Sequence, residues 1–260
     1  MKPTGYAHAV PPSSKPVNMR IDSLTNAQVK RWVTLHTVKG RAEHGTFLVE
    51  GEHLVEEAVK TGWAKKLLIR EGYDNPHPSL DAVHLSTPVF KKVSQLESLG
   101  WVMAECVLPQ NTPLRGSRFL VADRIQDPGN LGTIVRIAVA FGFDQVLCSL
   151  DCVDLTNEKV IRSTQGALFH LPVIRGDLIA LIEALKAQGI TIYATAADGA
   201  LALGDVKPHD RVALIVGNEG TGISLAVMDR ADHRLRIEMS AFESLNVAIA
   251  AGITAYHFRK

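Results

Sequence analysis

Apolar residues recur along this chain with two different periods, and the alternation between them divides it into short helices and short strands. Over residues 24–40, Val29, Trp32, Val33 and His36 fall at helical spacing, and Thr25 or Asn26 can cap the start. Strands are predicted at 46–49, 67–69, 83–85 and about 102–108. Between the first two, Leu54, Val55, Ala58 and Val59 line one face of a helix that Gly62 ends, and a further helix covers 89–96. Together they describe a small, compact α/β domain over 19–108. Before it, residues 1–18 hold Pro3, Pro11, Pro12, Pro16, Ser13 and Ser14 with few large apolar groups, and read as a flexible tail. After it, residues 109–117 are rich in punctuating residues and short of bulk, as a linker is.

Strand and helix alternate again over 118–260. Strands are expected at 119–122, 145–148, 171–174, 190–194 and 212–216, and the last, an unbroken apolar run, suits a strand covered on both faces. Helices are expected at 131–141, 158–165, 177–188 (capped by Asp177) and 245–258. The pattern predicts a mostly parallel sheet with helices on both faces.

Composition adds limits rather than a class. With 46% hydrophobic residues there is ample material for cores, and no stretch approaches the roughly 20 apolar residues needed to span a bilayer. No apolar secretory core stands near the N-terminus, and Cys106, Cys148 and Cys152 lack the paired spacing of a zinc site, so a reduced cytoplasmic protein without metal is expected. The net charge of +1 gives no global basic signature, so a nucleic-acid ligand would have to meet a local group of cations. Lys30, Arg31, Lys39 and Arg41 form the densest such group before the linker. They read either as a solvated helix face or as contacts to an RNA backbone.

Three stretches of the second domain fall where an open α/β sheet binds ligands, just past strand ends. The first, Asp-Pro-Gly-Asn-Leu-Gly-Thr-Ile-Val-Arg at 127–136, turns at Pro128 and Gly129, puts Asn130 where an N-cap belongs, and carries Arg136 on the helix. The second, Gly-Asn-Glu-Gly-Thr-Gly at 217–222, ends the apolar strand and opens a helix at Ser224. Its three glycines permit positive φ and close backbone approach, but no Gly-Lys-Ser/Thr follows, and Glu219 would repel a phosphate. The third, at 237–247, places Ser244 and Asn246 at the mouth of an apolar helix, as N-caps or as site groups.

The order Asn-Leu-Gly-(three residues)-Arg-x-Ala, Gly-Asn-Glu-Gly-x-Gly-Ile, Glu-Ser-Leu-Asn-Val-Ala resembles the three signature motifs of the SpoU/TrmH branch of the SPOUT methyltransferases. The resemblance covers about residue 119 to the C-terminus. Residues 47–58 look like the substrate-binding domain often fused ahead of it, a fold related to ribosomal kink-turn RNA-binding proteins. What the resemblance implies is a C-terminal trefoil knot that binds S-adenosyl-L-methionine, a homodimer, and methyl transfer to a ribose 2′-hydroxyl of RNA. Large-subunit ribosomal RNA is favoured over tRNA by the appended domain. Carried onto this chain, it assigns the cofactor to Thr195, Gly217, Asn218, Gly220, Ile237, Met239, Ser244 and Leu245, and makes Arg136 the catalytic arginine. Asn130, Glu219, Ser244 and Asn246 would position the ribose and Arg136. A non-catalytic RNA-binding protein is the alternative from a different class. An NAD-dependent oxidoreductase is weaker still, because the dinucleotide fingerprint is missing.

Overall fold

The computed structural model describes residues 18–240 and 244–260. The tail expected over 1–18 thus lies outside the described residues except for Asn18, which opens strand β1 (Asn18–Ile21). The described residues gather into two compact units: those up to Pro109 with Thr156–His170, and Gln110–Leu155 with Leu171–Lys260. No helix among them is long and apolar enough to cross a membrane.

The first unit is built on a five-stranded mixed sheet. Its strands are β1, β2 (Thr46–Glu50), β3 (Ala64–Arg70), β4 (Ala82–Leu85) and β5 (Val102–Val107). They lie in the order β1-β4-β3-β5-β2, with β1, β4 and β3 parallel and β5 antiparallel to both its neighbours. Alternate side chains serve opposite faces. Leu48, Leu68, Val83 and Met103 pack with Val29 and Trp32 of α1 (Ala27–Thr34) and Val89, Phe90 and Val93 of α4 (Thr87–Val93). Phe47 meets Trp63 edge-on, and Trp63 in turn meets Phe169. Helix α3 (Glu52–Lys60) packs on β5 and β2.

The single helix expected over 24–40 is two helices, α1 and α2 (Val38–His44). Asn26 supplies the first cap, its side chain accepting the Gln28 N–H at 2.8 Å. At Thr37 the backbone turns extended, and the hydroxyl accepts the Gly40 N–H at 3.0 Å to start α2. A threonine that offers its own cap competes with continued helix. Gly40 is needed there, because a Cβ would stand 2.0 Å from the Thr34 carbonyl oxygen.

This local geometry divides the four cations expected to face RNA. Both terminal nitrogens of Arg31 donate to Glu105, at 2.8 and 2.5 Å, and Trp32 Nε1 donates to the same carboxylate at 2.8 Å. Arg41 is 5% exposed and donates to the Leu35 carbonyl oxygen. Both side chains hold the unit together, and only Lys30 and Lys39 stay exposed on its surface.

The helix expected near 158–165 forms as α6 (Glu158–Thr164), but it packs on β2 in the first unit. A 3₁₀ turn, Ala167–Phe169, follows and carries Phe169 to Trp63. His170 Nε2 lies 2.6 Å from Glu57 Oε2. Residues of the expected linker are tied into the second unit, where Asn111 exchanges two hydrogen bonds with the Arg175 backbone at 2.9 and 3.0 Å.

The second unit is a seven-stranded sheet in which every strand pair is parallel. Its strands are β6 (Arg118–Ala122), β7 (Gln145–Ser149), β8 (Val173–Gly176), β9 (Thr191–Thr195), β10 (Leu201–Ala202), β11 (Val212–Val216) and β12 (His233–Arg236). They run in the order β10-β12-β9-β11-β6-β7-β8. Strands β6, β7 and β11 are buried at every position, as a sheet sandwiched between helices requires. Phe119, Val121, Ile192 and Ile215 pack with α7 (Leu178–Ala187) and α8 (Leu225–Met228). Helices α5 (Pro128–Ala140) and α9 (Val247–His257) pack together, on β6 and β11 respectively.

Glu105 offers a test of the first unit. Burial pushes its carboxyl up, but the hydrogen bonds from Arg31 and Trp32 outweigh that and hold it below the usual range. Its stabilisation is therefore complete above the unfolded carboxylate pKa and is lost as pH falls through the depressed folded value. Glu105→Ala strands a buried indole N–H and an arginine, and is expected to cost about 2–4 kcal/mol. Lys30→Ala should stay within about 0.5 kcal/mol. Urea unfolding at pH 7 compares the two, and equal midpoints would contradict the assignment.

Candidate active site

Strands β12, β9, β11 and β6 are consecutive in a wholly parallel sheet, so the segments leaving their C-terminal ends emerge along one edge. Those segments begin at Ile237, Ala196, Gly217 and Asp123. The second unit therefore brings the three motif stretches to the edge where open α/β sheets bind ligands.

The first stretch is capped by Asp127, not by Asn130 as expected. Asp127 Oδ1 accepts the Asn130 N–H at 2.8 Å, and Pro128 occupies the first turn of α5. Asn130 sits inside the helix, which leaves its carboxamide for other partners. It donates from Nδ2 to Glu219 Oε1 at 2.9 Å and accepts at Oδ1 from Asn246 Nδ2 at 3.0 Å. Asn246 uses its remaining oxygen to cap α9, accepting the N–H groups of Ala248 and Ile249 at 2.9 and 3.3 Å. One residue from each motif is thus joined in a single chain of hydrogen bonds.

Glu219 anchors one end of that chain. Its carboxylate also accepts the backbone N–H groups of Asp127 and Gln126 at 3.2 and 3.4 Å. Burial raises its pKa, but the bonds from Asn130 and these amides prevail, and the group lies below the usual carboxylate range. It is ionised at neutral pH and can only accept.

The glycine loop closes on itself. Asn218 and Gly222 exchange two backbone bonds at 3.0 and 2.9 Å, and Asn218 Oδ1 accepts the N–H groups of Gly220 and Thr221. Of the three glycines only Gly222 takes positive φ, at +68°. Gly217 is required by its own loop, since a Cβ there would stand 2.2 Å from the Ile223 nitrogen. A Cβ on Gly220 would meet only Asn218 Oδ1, at 3.7 Å.

Two residues of this edge gave no sequence signal. Arg124 adopts the left-handed region at φ +57°, its carbonyl oxygen accepts from Asn218 Nδ2 at 2.9 Å, and its Nη2 donates to the Gly222 carbonyl oxygen at 3.2 Å. Buried Asp123 accepts the Ser224 N–H at 2.7 Å. Together they fasten the glycine loop to the end of β6. A charged pair after an apolar strand resembles any turn, so pattern alone does not single it out.

The other expected residues lie on β9, on α5 and in the segment between β12 and α9. Thr195 ends β9 and donates to the Ile215 carbonyl oxygen at 3.0 Å. Ile237 is half-buried, while Met239, Ser244 and Leu245 are exposed. Residues 241–243 of the third motif lie outside the described residues. Arg136 is exposed on α5, and no hydrogen bond or ion pair engages it among the described residues.

Comparison with known proteins gives a consistent picture. Residues 117–256 match the SpoU rRNA Methylase family, and residues 26–104 match the MRM3-like substrate binding domain. A 23S rRNA (guanosine(2553)-2′-O)-methyltransferase of Bacillus subtilis is 39% identical over 245 residues, 92% of this chain and 99% of that one. An AdoMet-bound rRNA methyltransferase from Sinorhizobium meliloti has a TM-score of 0.81 at 27% identity, covering 92% of this chain and 96% of its own. A SpoU methyltransferase from Streptomyces viridochromogenes, in complex with AdoMet, has a TM-score of 0.80 at 27% identity, covering 89% and 96%.

The two loop glycines separate folding from ligand contact. Gly217→Ala must displace backbone and should lower the unfolding temperature of the second unit by several degrees. Gly220→Ala should leave that temperature unchanged, so any loss of cofactor affinity in calorimetry reports proximity to the ligand. Normal stability and binding in Gly217→Ala would refute the close approach.

Proposed function

The chain belongs to the SpoU family of RNA methyltransferases, and on that premise we propose which RNA it modifies and how the joined loops perform the reaction. It uses S-adenosylmethionine to methylate a ribose 2′-hydroxyl of RNA. The target we propose is large-subunit ribosomal RNA. Support comes from the Bacillus subtilis relative, named for 23S rRNA and matched over nearly its whole length, and from the substrate-binding match over 26–104.

In this reading the cofactor lies in the knotted crevice that the family implies, at the ends of β9, β11 and β12. Thr195 and the backbone of Gly217, Asn218 and Gly220 hold its adenine edge. Ile237, Met239 and Leu245 cover its apolar faces, with Ser244 at the mouth. The donor set fits, since it offers backbone polar groups beside exposed apolar side chains and leaves open space at Gly220. When bound, the cofactor supplies a methyl group made electrophilic by a sulfonium sulfur.

The observation that carries the reading is the chain Glu219–Asn130–Asn246, which fixes the starts of α5 and α9 against the glycine loop. Orientation of this kind supplies much of the acceleration of a bimolecular transfer. A 2′-hydroxyl is a poor nucleophile until its proton is drawn away. A guanidinium does not serve as a base in proteins, so the part of Arg136 is electrostatic: to clamp a neighbouring phosphate in two-pronged fashion and stabilise the alkoxide as it develops. Without a partner among the described residues, it keeps its donors for RNA.

The same helices suggest the assembly. Exposed Val139 on α5 and Ile249, Ile253 and Tyr256 on α9 leave an apolar face where the two helices pack, with Ile249 and Tyr256 each 55% exposed. A homodimer formed through this face would cover them.

Three measurements test these assignments. Arg136→Ala is expected to lower kcat by about 10²–10³-fold with fold and cofactor affinity intact, and Arg136→Lys to restore little, because a point charge cannot make the two-pronged contact. Near-normal turnover by the lysine variant would exclude that role. Ribose-methylation mapping across ribosomal RNA and tRNA, with and without the gene, reads the target, and loss confined to tRNA would overturn the ribosomal assignment. For the assembly, Ile249→Asp with Ile253→Asp should convert a dimer into a folded monomer in sedimentation equilibrium. An unchanged mass would move the interface elsewhere.

A further inference from the structure

The first unit displays an aromatic pair that its core does not use. Strand β3 ends at Arg70, Gly72 turns the chain at φ +86°, and the Tyr73 N–H returns to the Arg70 carbonyl oxygen at 3.3 Å. That turn lays the Tyr73 ring on Trp101, centroids 5.3 Å apart and planes 16° from parallel. The Arg70 guanidinium carbon lies 5.0 Å from the Tyr73 ring centre, and Nη2 donates to the Tyr73 hydroxyl at 2.9 Å. The Arg70 N–H to Trp101 carbonyl bond, 2.9 Å, fixes the two strand ends in register.

Three features set this cluster apart from ordinary packing. Every other aromatic contact among the described residues is tilted or edge-on, including the Phe47–Trp63–Phe169 run of the same unit. Tyr73 keeps 42% of its surface in solvent. Arg70 has no carboxylate partner among the described residues, although neighbouring Glu71 is taken by Arg20 and the Thr87 N–H. The result is a stacked aromatic pair partly open to solvent, with a guanidinium that has no carboxylate partner against it.

We propose that Arg70, Tyr73 and Trp101 form a stacking platform for an unpaired nucleobase of the RNA substrate. The proposal rests on the reading of the chain as an RNA methyltransferase, and deepens it by specifying a single-stranded element in the substrate. All three residues fall within the segment matched to a substrate binding domain, 26–104. A base in a duplex has both faces covered, whereas a splayed base offers a face to aromatic rings and to arginine. The guanidinium can meet a phosphate or a base edge while the rings take the face. Because the rings carry no charge, most of this contact is insensitive to salt.

The test uses the full-length protein with one mixed-sequence oligoribonucleotide, offered as a single strand and as a duplex. Trp32 is buried and Trp63 is packed between two phenylalanines, so quenching of tryptophan emission by bound RNA reports Trp101. Single strand should quench and bind more tightly than duplex, and Trp101→Leu should abolish the quench. Tyr73→Ala should weaken binding, and raise KM for RNA, by about tenfold with kcat and the salt slope unchanged. Tyr73→Phe keeps the ring and should bind as wild type, and Arg70→Gln should flatten the salt slope by about 0.7. Wild-type affinity and KM in Tyr73→Ala, or tight RNA binding without a quench, would overturn the platform alone. Failure of the wild-type protein to methylate any RNA would defeat the functional reading and the platform with it. Cofactor calorimetry and thermal unfolding on Tyr73→Ala, an exposed site, guard against loss of fold.

Discussion

Two side-chain hydrogen bonds, Asn130 to Glu219 and Asn246 to Asn130, hold the candidate site in register. Their directions are forced. At one end an ionised carboxylate can only accept, so Asn130 must present its NH₂ group to it. At the other end the first amides of α9 can only donate, so Asn246 must turn its oxygen to them and its NH₂ group toward Asn130. The carboxamides are thus locked at both ends, and aspartate at either position would remove a donor. At 130 it would also set two carboxylates against each other. The arrangement explains why amides, and not acids, stand in these loops, and it links the starts of two helices to a loop that neither contains.

That chain of bonds depends on the parallel sheet. Were β11 or β12 antiparallel to β6, its following loop would leave from the opposite edge, about 15 Å away. The parallel sheet is in turn what its sequence calls for, with β11 apolar throughout and the middles of β6 and β7 apolar because helices cover both faces. These strands were legible in the sequence for that reason, as were α5, α7 and α9. Strands β10 and β12 were not. The first has two residues and the second reads His-Arg-Leu-Arg with only Leu235 buried, so neither carries an apolar signal.

Other differences trace to local hydrogen bonding that periodicity does not register. Val29, Trp32, Val33 and His36 share a helical period, yet the first helix stops at Thr34 and the Thr37 hydroxyl starts a second. Asn130 fits an N-cap, but Asp127, three residues earlier, accepts the Asn130 N–H as the actual cap and leaves the Asn130 side chain for Glu219. The 156–170 segment follows a strand of the second unit in sequence, and its amphipathic helix does not declare which core it joins. The motif residues were found by the order of three stretches along the chain, a feature that survives all of these local shifts.

Charge is where sequence and structure diverge most usefully. A cation count treats Arg31 and Arg41 as equal to Arg70 and Arg136, although the first two are engaged inside the fold. Among the described residues, the guanidinium groups of only Arg70, Arg115 and Arg136 make no bond to a carboxylate or carbonyl oxygen. The rest cap carbonyls, pair with acids or brace loops. A protein of net charge +1 that acts on RNA cannot rely on a diffuse field to gather its substrate. Its affinity must come from a few cations left unpaired and from contacts that do not depend on charge. Arg136, exposed on α5, and Arg70, without a carboxylate partner beside a half-exposed aromatic stack, meet both conditions, one in each unit.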